Sequence, residues 1–331
     1  KNRKPVPINQ ALSCYGWLME KAKSFLSLFI LLFMLVACQS AQLSSEAQNK
    51  LMFALLADDA EQANQALLDI QNANDLALAS PLIDLLYTSG SDLYPVDDRQ
   101  QIVTALEHLT QQSFGEDWEA WLNWYASTEI EPPTEMAAWK GMFFSRIDAQ
   151  FAAFFEGDLA DSFRPEEVVW GGVGVDGIPA LDFLPQQPAA EVKGLSRFDA
   201  VFVISINGDH RAYPLRVMDW HEMANDVVGG VPISIAYCTL CGAAIAYKTE
   251  TASGQVYDFG SSGLLYRSNK LMYDRQTGSL WNQLTGEPVI GEAVTRGERL
   301  ELLPIVLTSW GEWQALHPNR PAAGDGLCAR L

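Results

Sequence analysis

The chain is poor in the residues from which most enzyme centres and small scaffolds are built. Its 331 residues include only four histidines and five cysteines, too few cysteines for a disulfide-rich scaffold. It contains no phosphate-binding glycine loop, no nucleophile-elbow serine and no His-Glu-x-x-His run. Basic residues are scarce as well, 22 against 41 acidic ones, and the net charge of −19 argues against nucleic acid as a partner.

The N-terminal residues lack an apolar run long enough to span a bilayer, but they resemble an export signal. Lys21 and Lys23 precede an apolar stretch over residues 25–37, a length typical of a signal-peptide core. The stretch ends in Leu-Val-Ala before Cys38, which resembles a bacterial lipobox whose cysteine becomes lipidated. We therefore expect translation to start at Met19 and residues 1–37 to be removed.

Removal of this segment makes the protein more acidic. From Cys38 onward there are 17 basic and 40 acidic residues, a net charge of −23. Such a surface repels anionic lipid, so we expect membrane contact through the lipid on Cys38 alone. The expected location is extracytoplasmic, and Gln39 favours the outer membrane where the host has one.

The sequence pattern differs between the two halves of the chain. It predicts an α+β multidomain protein, with an α-helical N-terminal domain followed by a β-rich domain. Apolar residues recur at helical spacing through residues 38–160, with Asp97 and Asp117 as expected helix caps. Residues 102–125 resemble HEAT-type helical repeats, so the domain is HEAT-like and offers a surface to a protein partner. The tryptophans of this region are expected to face a core.

Residues 165–318 have the alternation and turn signals of a β-rich domain. Strands at residues 201–206 and 210–215 are joined by Asn207-Gly208, a strong type I′ turn signal. Further strands are expected at residues 231–237, 243–249 and 255–259, and a weaker one at 264–273. A short helix is expected within 218–226. Residues 319–331 look like an aberrant or truncated tail.

The β-rich region resembles a bacterial and archaeal family catalogued as domain of unknown function 3179. The resemblance rests on several motifs that occur in order over residues 170–318. They are Trp220-His221-Glu222, Asn225-Asp226, Gly229-Gly230, Tyr237-Cys238-x-x-Cys241-Gly242, Gly263-Leu264-Leu265-Tyr266 and Met272-Tyr273-Asp274-Arg275. The resemblance implies membership and no particular reaction.

Within these motifs, Cys238 and Cys241 have the spacing that lets two sulfurs point toward one centre. A zinc ribbon needs a second such pair, which the chain lacks, so a metal site must recruit other ligands. His221 is the expected third ligand, and a thiolate–imidazole set suits copper, zinc or iron. Further candidates for ligation, or for orienting the ligands, are Asp219, Glu222, Asn225 and Asp226.

Two alternatives to the metal site stay open. The cysteines suit a thiol–disulfide couple, although the flanking segments look like strands rather than the usual strand–helix context. They also suit a structural disulfide in a non-catalytic binding module. In that module an aromatic and arginine pocket would hold an organic ligand, with Tyr237, Tyr266, Arg267, Tyr273, Arg275 and Trp281 as its candidate residues.

Overall fold

A computed structural model describes residues 42–91, 93–96, 98–182, 186–318 and 321–323. The predictions on the signal peptide, on Met19, Cys38 and Asp97, and on most of the tail lie outside these residues. No helix among the described residues is long and apolar enough to cross a membrane.

The N-terminal part is helical, as predicted. Its α-helices are α1 Ser45–Ala54, α2 Ala60–Ala73, α3 Ala79–Thr88, α4 Arg99–Thr110, α5 Trp118–Ala126 and α6 Met136–Ser145. Many of these helices are preceded by a Ser or Asp whose side chain accepts a backbone N–H at the helix start. Asp98 caps α4. Short 3₁₀ helices follow at Leu76–Leu78, Ala149–Phe155 and Pro165–Glu167. Trp121 and Trp139 are fully buried, which confirms that they belong to the core.

The C-terminal part is β-rich, as predicted. Its strands are β1 Val168–Trp170, β2 Leu181–Asp182, β3 Gln186–Pro188, β4 Ala200–Ile206, β5 Asp209–Pro214, β6 Met223–Val228, β7 Val231–Cys238, β8 Ala243–Lys248, β9 Phe259–Tyr266, β10 Asn269–Asp274, β11 Leu280–Asn282, β12 Pro288–Ile290, β13 Glu301–Leu303, β14 Val306–Ser309 and β15 Pro321–Ala323. Three helices accompany them, α7 Leu215–His221, α8 Glu292–Thr295 and α9 Trp310–Leu316.

The strands form four sheets. Sheet 1 has the order β1-β9-β10-β11-β12, sheet 2 the order β13-β8-β7-β6-β2, and sheet 3 the order β14-β4-β5, while β15 pairs with β3. All described pairings are antiparallel except β2 with β6. Asn207 and Gly208 both have positive φ, which confirms the predicted β4–β5 hairpin.

Alternation along the strands explains the layers. Leu271 of β10 packs in one core with the helices, whereas its neighbour Met272 packs in another core with Met223 and Ala236 of sheet 2. Because successive strand residues point to opposite faces, sheet 1 is covered by the helices on one face and by sheet 2 on the other. The opposite face of sheet 2 packs on sheet 3 and α7.

Three predictions of local structure were wrong. Residues 264–273 are not one strand, since Arg267 and Ser268 adopt positive φ and form the tight turn between β9 and β10. The helix expected within 218–226 lies earlier, at Leu215–His221, and Asn225-Asp226 belongs to β6. The strand expected at 255–259 contributes only an isolated bridge before β9 begins at Phe259.

Candidate functional site

The two central cysteines lie in the loop of the β7–β8 hairpin. Cys238 ends β7 and is paired across the ladder with Ala243, the first residue of β8. The four residues between them close the hairpin, and Gly242 has a φ of 61°, a conformation that glycine adopts without strain. A short hairpin loop that ends in Gly242 therefore holds the two cysteines close together.

The two sulfurs form a close, asymmetric pair of thiols. The Cys238 and Cys241 Sγ atoms are 3.1 Å apart, and both cysteines are free. Cys238 is 2% exposed, because it shares the strand face of Ala236, which points toward sheet 1. Cys241 is exposed to solvent. The Cys241 thiol is therefore accessible to an external reactant, while the Cys238 thiol lies buried next to it.

The β9–β10 turn covers this hairpin loop. The Cys241 thiol donates to the carbonyl oxygen of Ser268 at 3.4 Å, and the Asn269 side-chain amide donates to the Cys241 sulfur at 3.2 Å. These two bonds hold the Cys241 sulfur against the β9–β10 turn.

Glu222, at the end of α7, contacts the same β7–β8 hairpin loop. It caps the helix with its own N–H bonded to the Met218 carbonyl oxygen at 2.8 Å, and it has a φ of 56°. This left-handed conformation costs a non-glycine residue about 1–2 kcal/mol. Its carbonyl accepts the Tyr237 N–H at 2.7 Å, and its carboxylate accepts the Thr239 hydroxyl at 2.8 Å. The strained cap thus places an acidic side chain against the cysteine loop.

A buried lysine completes the group. Lys270 of β10 shares the strand face of Met272, so it projects between sheets 1 and 2. Its ammonium lies 3.1 Å from a Glu222 carboxylate oxygen, and the two side chains are 4% and 13% exposed. Burial lowers the pKa of Lys270, and the neighbouring Glu222 carboxylate opposes this effect.

Burial is also the largest influence on the pKa of Cys238. Desolvation raises the pKa of this thiol, and the hydrogen bond with Cys241 raises it further. The backbone N–H groups of Lys270 and Cys241 act in the opposite direction without reversing the shift. Cys238 is therefore the thiol of the pair that needs help to lose its proton.

A cavity of about 170 Å³ joins these groups. Its lining includes Cys238, Thr239, Glu222 and Lys270, together with glycine and apolar residues of the β1–β2 loop and of β9. The space accommodates several water molecules between polar side chains.

A larger groove lies at the edge formed by β8 and β13 and has a volume of about 770 Å³. Its charged residues pair with one another, Lys248 with Glu250 at 3.1 Å and Arg299 with Glu287 at 3.0 Å. This groove contains no thiol or histidine, and we assign it no chemistry.

His221, the predicted third metal ligand, is engaged elsewhere. Its Nδ1 is 2.9 Å from the carbonyl oxygen of Pro179. In the part of the chain that the structure describes, no three His, Cys, Asp or Glu side chains are grouped to hold a metal ion. The donor set in this geometry therefore does not fit a metal centre at Cys238 and Cys241, and copper, zinc or iron binding stays a prediction.

The other candidates around His221 have separate structural partners. Asn225 joins β6 to β9, since its amide exchanges hydrogen bonds with the backbone of Phe259 at 2.9 and 3.1 Å. Asp226 accepts the Tyr213 hydroxyl at 2.8 Å and lies 3.5 Å from Arg211. Burial raises the pKa of Tyr237, and the neighbouring Asp219 carboxylate raises it further. Of the four candidates, only Glu222 lines the cysteine cavity.

The six residues of the predicted ligand pocket do not line this cavity either. Arg267 forms an ion pair with Glu167, and Arg275 pairs with Asp182 at 2.8 Å, the ordinary use of arginine in an acidic protein. The Tyr273 hydroxyl donates to Asp176 and the Trp281 indole N–H donates to Asp274. The side chain of Tyr266 packs against Phe163, and that of Tyr237 against Phe202.

Lys270 is the residue that the sequence interpretation missed. It is a lysine in a strand whose next residues, Leu271 and Met272, are strongly apolar, and that contrast is the only local signal. Because lysine is rarely buried without a partner, such a position predicts a carboxylate opposite it. The identity of Glu222 as that partner depends on the packing of two sheets and has no signature in sequence spacing.

No curated protein and no solved structure matches the chain. A family model described as "Protein of unknown function (DUF3179)" matches residues 175–321, a range that contains Glu222, Cys238, Cys241 and Lys270. The resemblance predicted over residues 170–318 is thus confirmed, in that residues 175–321 match the model of that family of unknown function.

Proposed function

We propose that the protein is a thiol–disulfide exchange protein whose reacting groups are Cys238 and Cys241. The observation that supports this most is the placement of two free thiols 3.1 Å apart, one buried and one exposed. A small closing movement converts this contact to the bond of about 2 Å that a disulfide requires. Among the described residues, no third metal ligand is grouped with the two thiols, and a cavity adjoins them. Both observations favour exchange over metal binding.

The exchange proceeds in two balanced steps. The Cys241 thiolate attacks one sulfur of a substrate disulfide, forms a mixed disulfide and releases the first substrate thiolate. The Cys238 thiolate then attacks the Cys241 sulfur, forms the Cys238–Cys241 disulfide and releases the second. Two electrons pass from the protein dithiol to the substrate, and the two thiol protons end on the released thiols. An external thiol runs the steps in reverse.

The test uses the full chain and a chromogenic aromatic disulfide. The reduced protein is expected to release two aromatic thiolates through this pair and to retain no adduct there, as shown by peptide mass spectrometry. Cys238→Ser is expected to stop after one, with the adduct on Cys241. Cys241→Ser is expected to react far more slowly, since Cys238 is buried.

Elemental analysis of the same preparations separates the metal hypothesis from the exchange. About one transition metal per chain, lost in both Cys238→Ser and His221→Ala, would overturn the proposal in favour of a Cys/His metal centre for redox chemistry or metal handling. A disulfide that forms but resists reduction by small thiols would instead favour a structural staple in a binding module.

We further propose that this chemistry takes place outside the cytoplasm, with the chain held to a membrane by lipid on Cys38. The signal-like residues before Cys38 support this. Metabolic labelling with a fatty-acid analogue is expected to label the chain and to fail for Cys38→Ser.

The HEAT-like helical region is proposed to dock a protein partner. Crosslinking from the exposed positions Leu68 and Met142 tests this proposal.

A further inference from the structure

The ion pair between Lys270 and Glu222 has no role in the exchange as described so far. Lys270 comes from β10 and Glu222 from the end of α7, and their side chains are 4% and 13% exposed. Burial of two charges is costly and is repaid only in part by their attraction. A well-packed apolar pair would fill the same place without that cost, so the charges call for an explanation beyond stability.

The backbone around Glu222 directs its carboxylate toward the cysteines. The helix end is held in a left-handed conformation by bonds to Met218 and Tyr237, at a position where glycine is the usual residue. One carboxylate oxygen accepts the Thr239 hydroxyl, and the other lies near the Lys270 ammonium. Glu222 is therefore connected both to the cysteine loop and to the buried cation.

The second step of the exchange requires a base near Cys238. This thiol is buried, so it is protonated at neutral pH, and only its thiolate can attack the mixed disulfide. Among the described residues that line the cavity, Glu222 is the acidic one, and the lining contains no histidine. The cavity that both groups line is large enough for water to connect them.

We propose that Glu222 accepts the proton of Cys238 through cavity water while the Lys270 ammonium stabilises the resulting thiolate. The proton leaves the Cys238 sulfur and is held on the Glu222 carboxylate during the attack, so the Lys⁺–carboxylate⁻ pair becomes a Lys⁺–thiolate⁻ pair. Glu222 then passes the proton through the cavity to the released thiolate. The total charge of the cavity stays the same, which avoids the penalty of creating a new buried charge. This inference rests on the proposed exchange function and deepens it.

The experiment measures the second step alone. Reduced protein is mixed with the aromatic disulfide, and the rate of the second thiolate release is recorded from pH 5.5 to pH 10. For Glu222→Gln and for the charge-free pair Lys270→Met with Glu222→Gln, the rate near pH 7 is expected to fall by about tenfold or more. The difference is expected to disappear at the alkaline end, where Cys238 ionises without a base.

The matched control removes an ion pair of equal length elsewhere in the β-rich region. Lys248→Met with Glu250→Gln breaks a 3.1 Å pair that does not line the cysteine cavity, and its pH profile is expected to equal that of the unmodified protein. Melting curves establish that each variant is folded. If Glu222→Gln does not fold, Glu222→Asp replaces it, because a shorter carboxylate is expected to slow the step near pH 7 and still converge at high pH.

An unchanged pH profile in the site variants, or an equal slowing at every pH, would overturn the inference. In that case the unmodified protein still releases both thiolates, and the exchange function stands. If the unmodified protein never releases the second thiolate, the proposed function itself fails. The two failures are therefore distinguishable in one data set.

Discussion

Among the residues that the structure describes, two lysines are buried, and they form similar ion pairs in different surroundings. Lys140 of α6 is fully buried, lies 2.6 Å from Asp84 and donates to the carbonyl oxygen of Val168, where the helices meet sheet 1. Lys270 pairs with Glu222 between sheets 1 and 2. Only Lys270 lines the cavity that also contains a thiol.

The acidic partners of the two lysines, Asp84 and Glu222, have different surroundings. Burial raises the pKa of Asp84 to about 6, since desolvation outweighs the attraction of Lys140. One Asp84 oxygen and one oxygen of neighbouring Glu166 are buried without a hydrogen-bond partner. Glu222 keeps 13% of its side chain exposed and both of its oxygens engaged. Lys140 thus joins two layers of the fold, whereas Lys270 is placed where a proton can move.

The largest expected effect follows from breaking the interior pair. Lys140→Met leaves the Asp84 carboxylate buried and unpaired, so the free energy of unfolding at neutral pH is expected to fall by about 3–5 kcal/mol. Urea denaturation measures it, and the thiolate release of the folded fraction should be unchanged. Lys140→Met with Asp84→Leu should recover part of the loss; a single variant as stable as the parent would contradict the structure.

Breaking the site pair should destabilise the protein less. Lys270→Met leaves Glu222 with the Thr239 hydroxyl and partial access to water, so the expected loss is about 1–3 kcal/mol. The same denaturation series measures this loss. A loss as large as that of Lys140→Met would show that the two lysines play equivalent structural roles and would remove the contrast between them.

The titration of Asp84 should appear in the pH dependence of stability. Its folded pKa of about 6 lies above the ordinary 3.8, so the folded state holds this proton more tightly than the unfolded chain. The Asp84 contribution to stability is therefore present below about pH 4 and is lost as the pH rises to about 6, with a slope of at most about 1.4 kcal/mol per pH unit. Asp84→Asn should remove this component from the stability profile, and an identical profile would refute it.

The sequence carried the local information and little of the long-range placement. The Asn207-Gly208 hairpin and the Asp117 cap were predictable because a few adjacent residues determine them. The turn at Arg267-Ser268 was missed, since neither residue is typical of positive φ. That turn brings Asn269 and Lys270 to the cysteines, so the mistaken single strand at 264–273 also concealed the site.

The position of His221 shows the same limit. Adjacent in sequence, His221 and Glu222 were both expected near the sulfurs, but α7 ends between them. The left-handed turn at Glu222 directs its side chain into the cavity, while His221 bonds to the Pro179 carbonyl oxygen. A one-residue difference at a helix end separates these roles, and such ends are the least predictable parts of an element.

The smallest expected effect concerns an exposed ion pair that serves as a reference for the two buried ones. Arg275 and Asp182 are 2.8 Å apart with about a third of each side chain exposed, so water competes for both charges. Arg275→Gln is expected to change the free energy of unfolding by less than about 1 kcal/mol and to leave thiolate release unaltered. Denaturation in low and high salt measures it, and the small loss should shrink further with salt. A loss comparable to that of Lys140→Met, or slower exchange, would mean that Arg275 has a larger role than an exposed ion pair, as its place in the predicted ligand pocket implied.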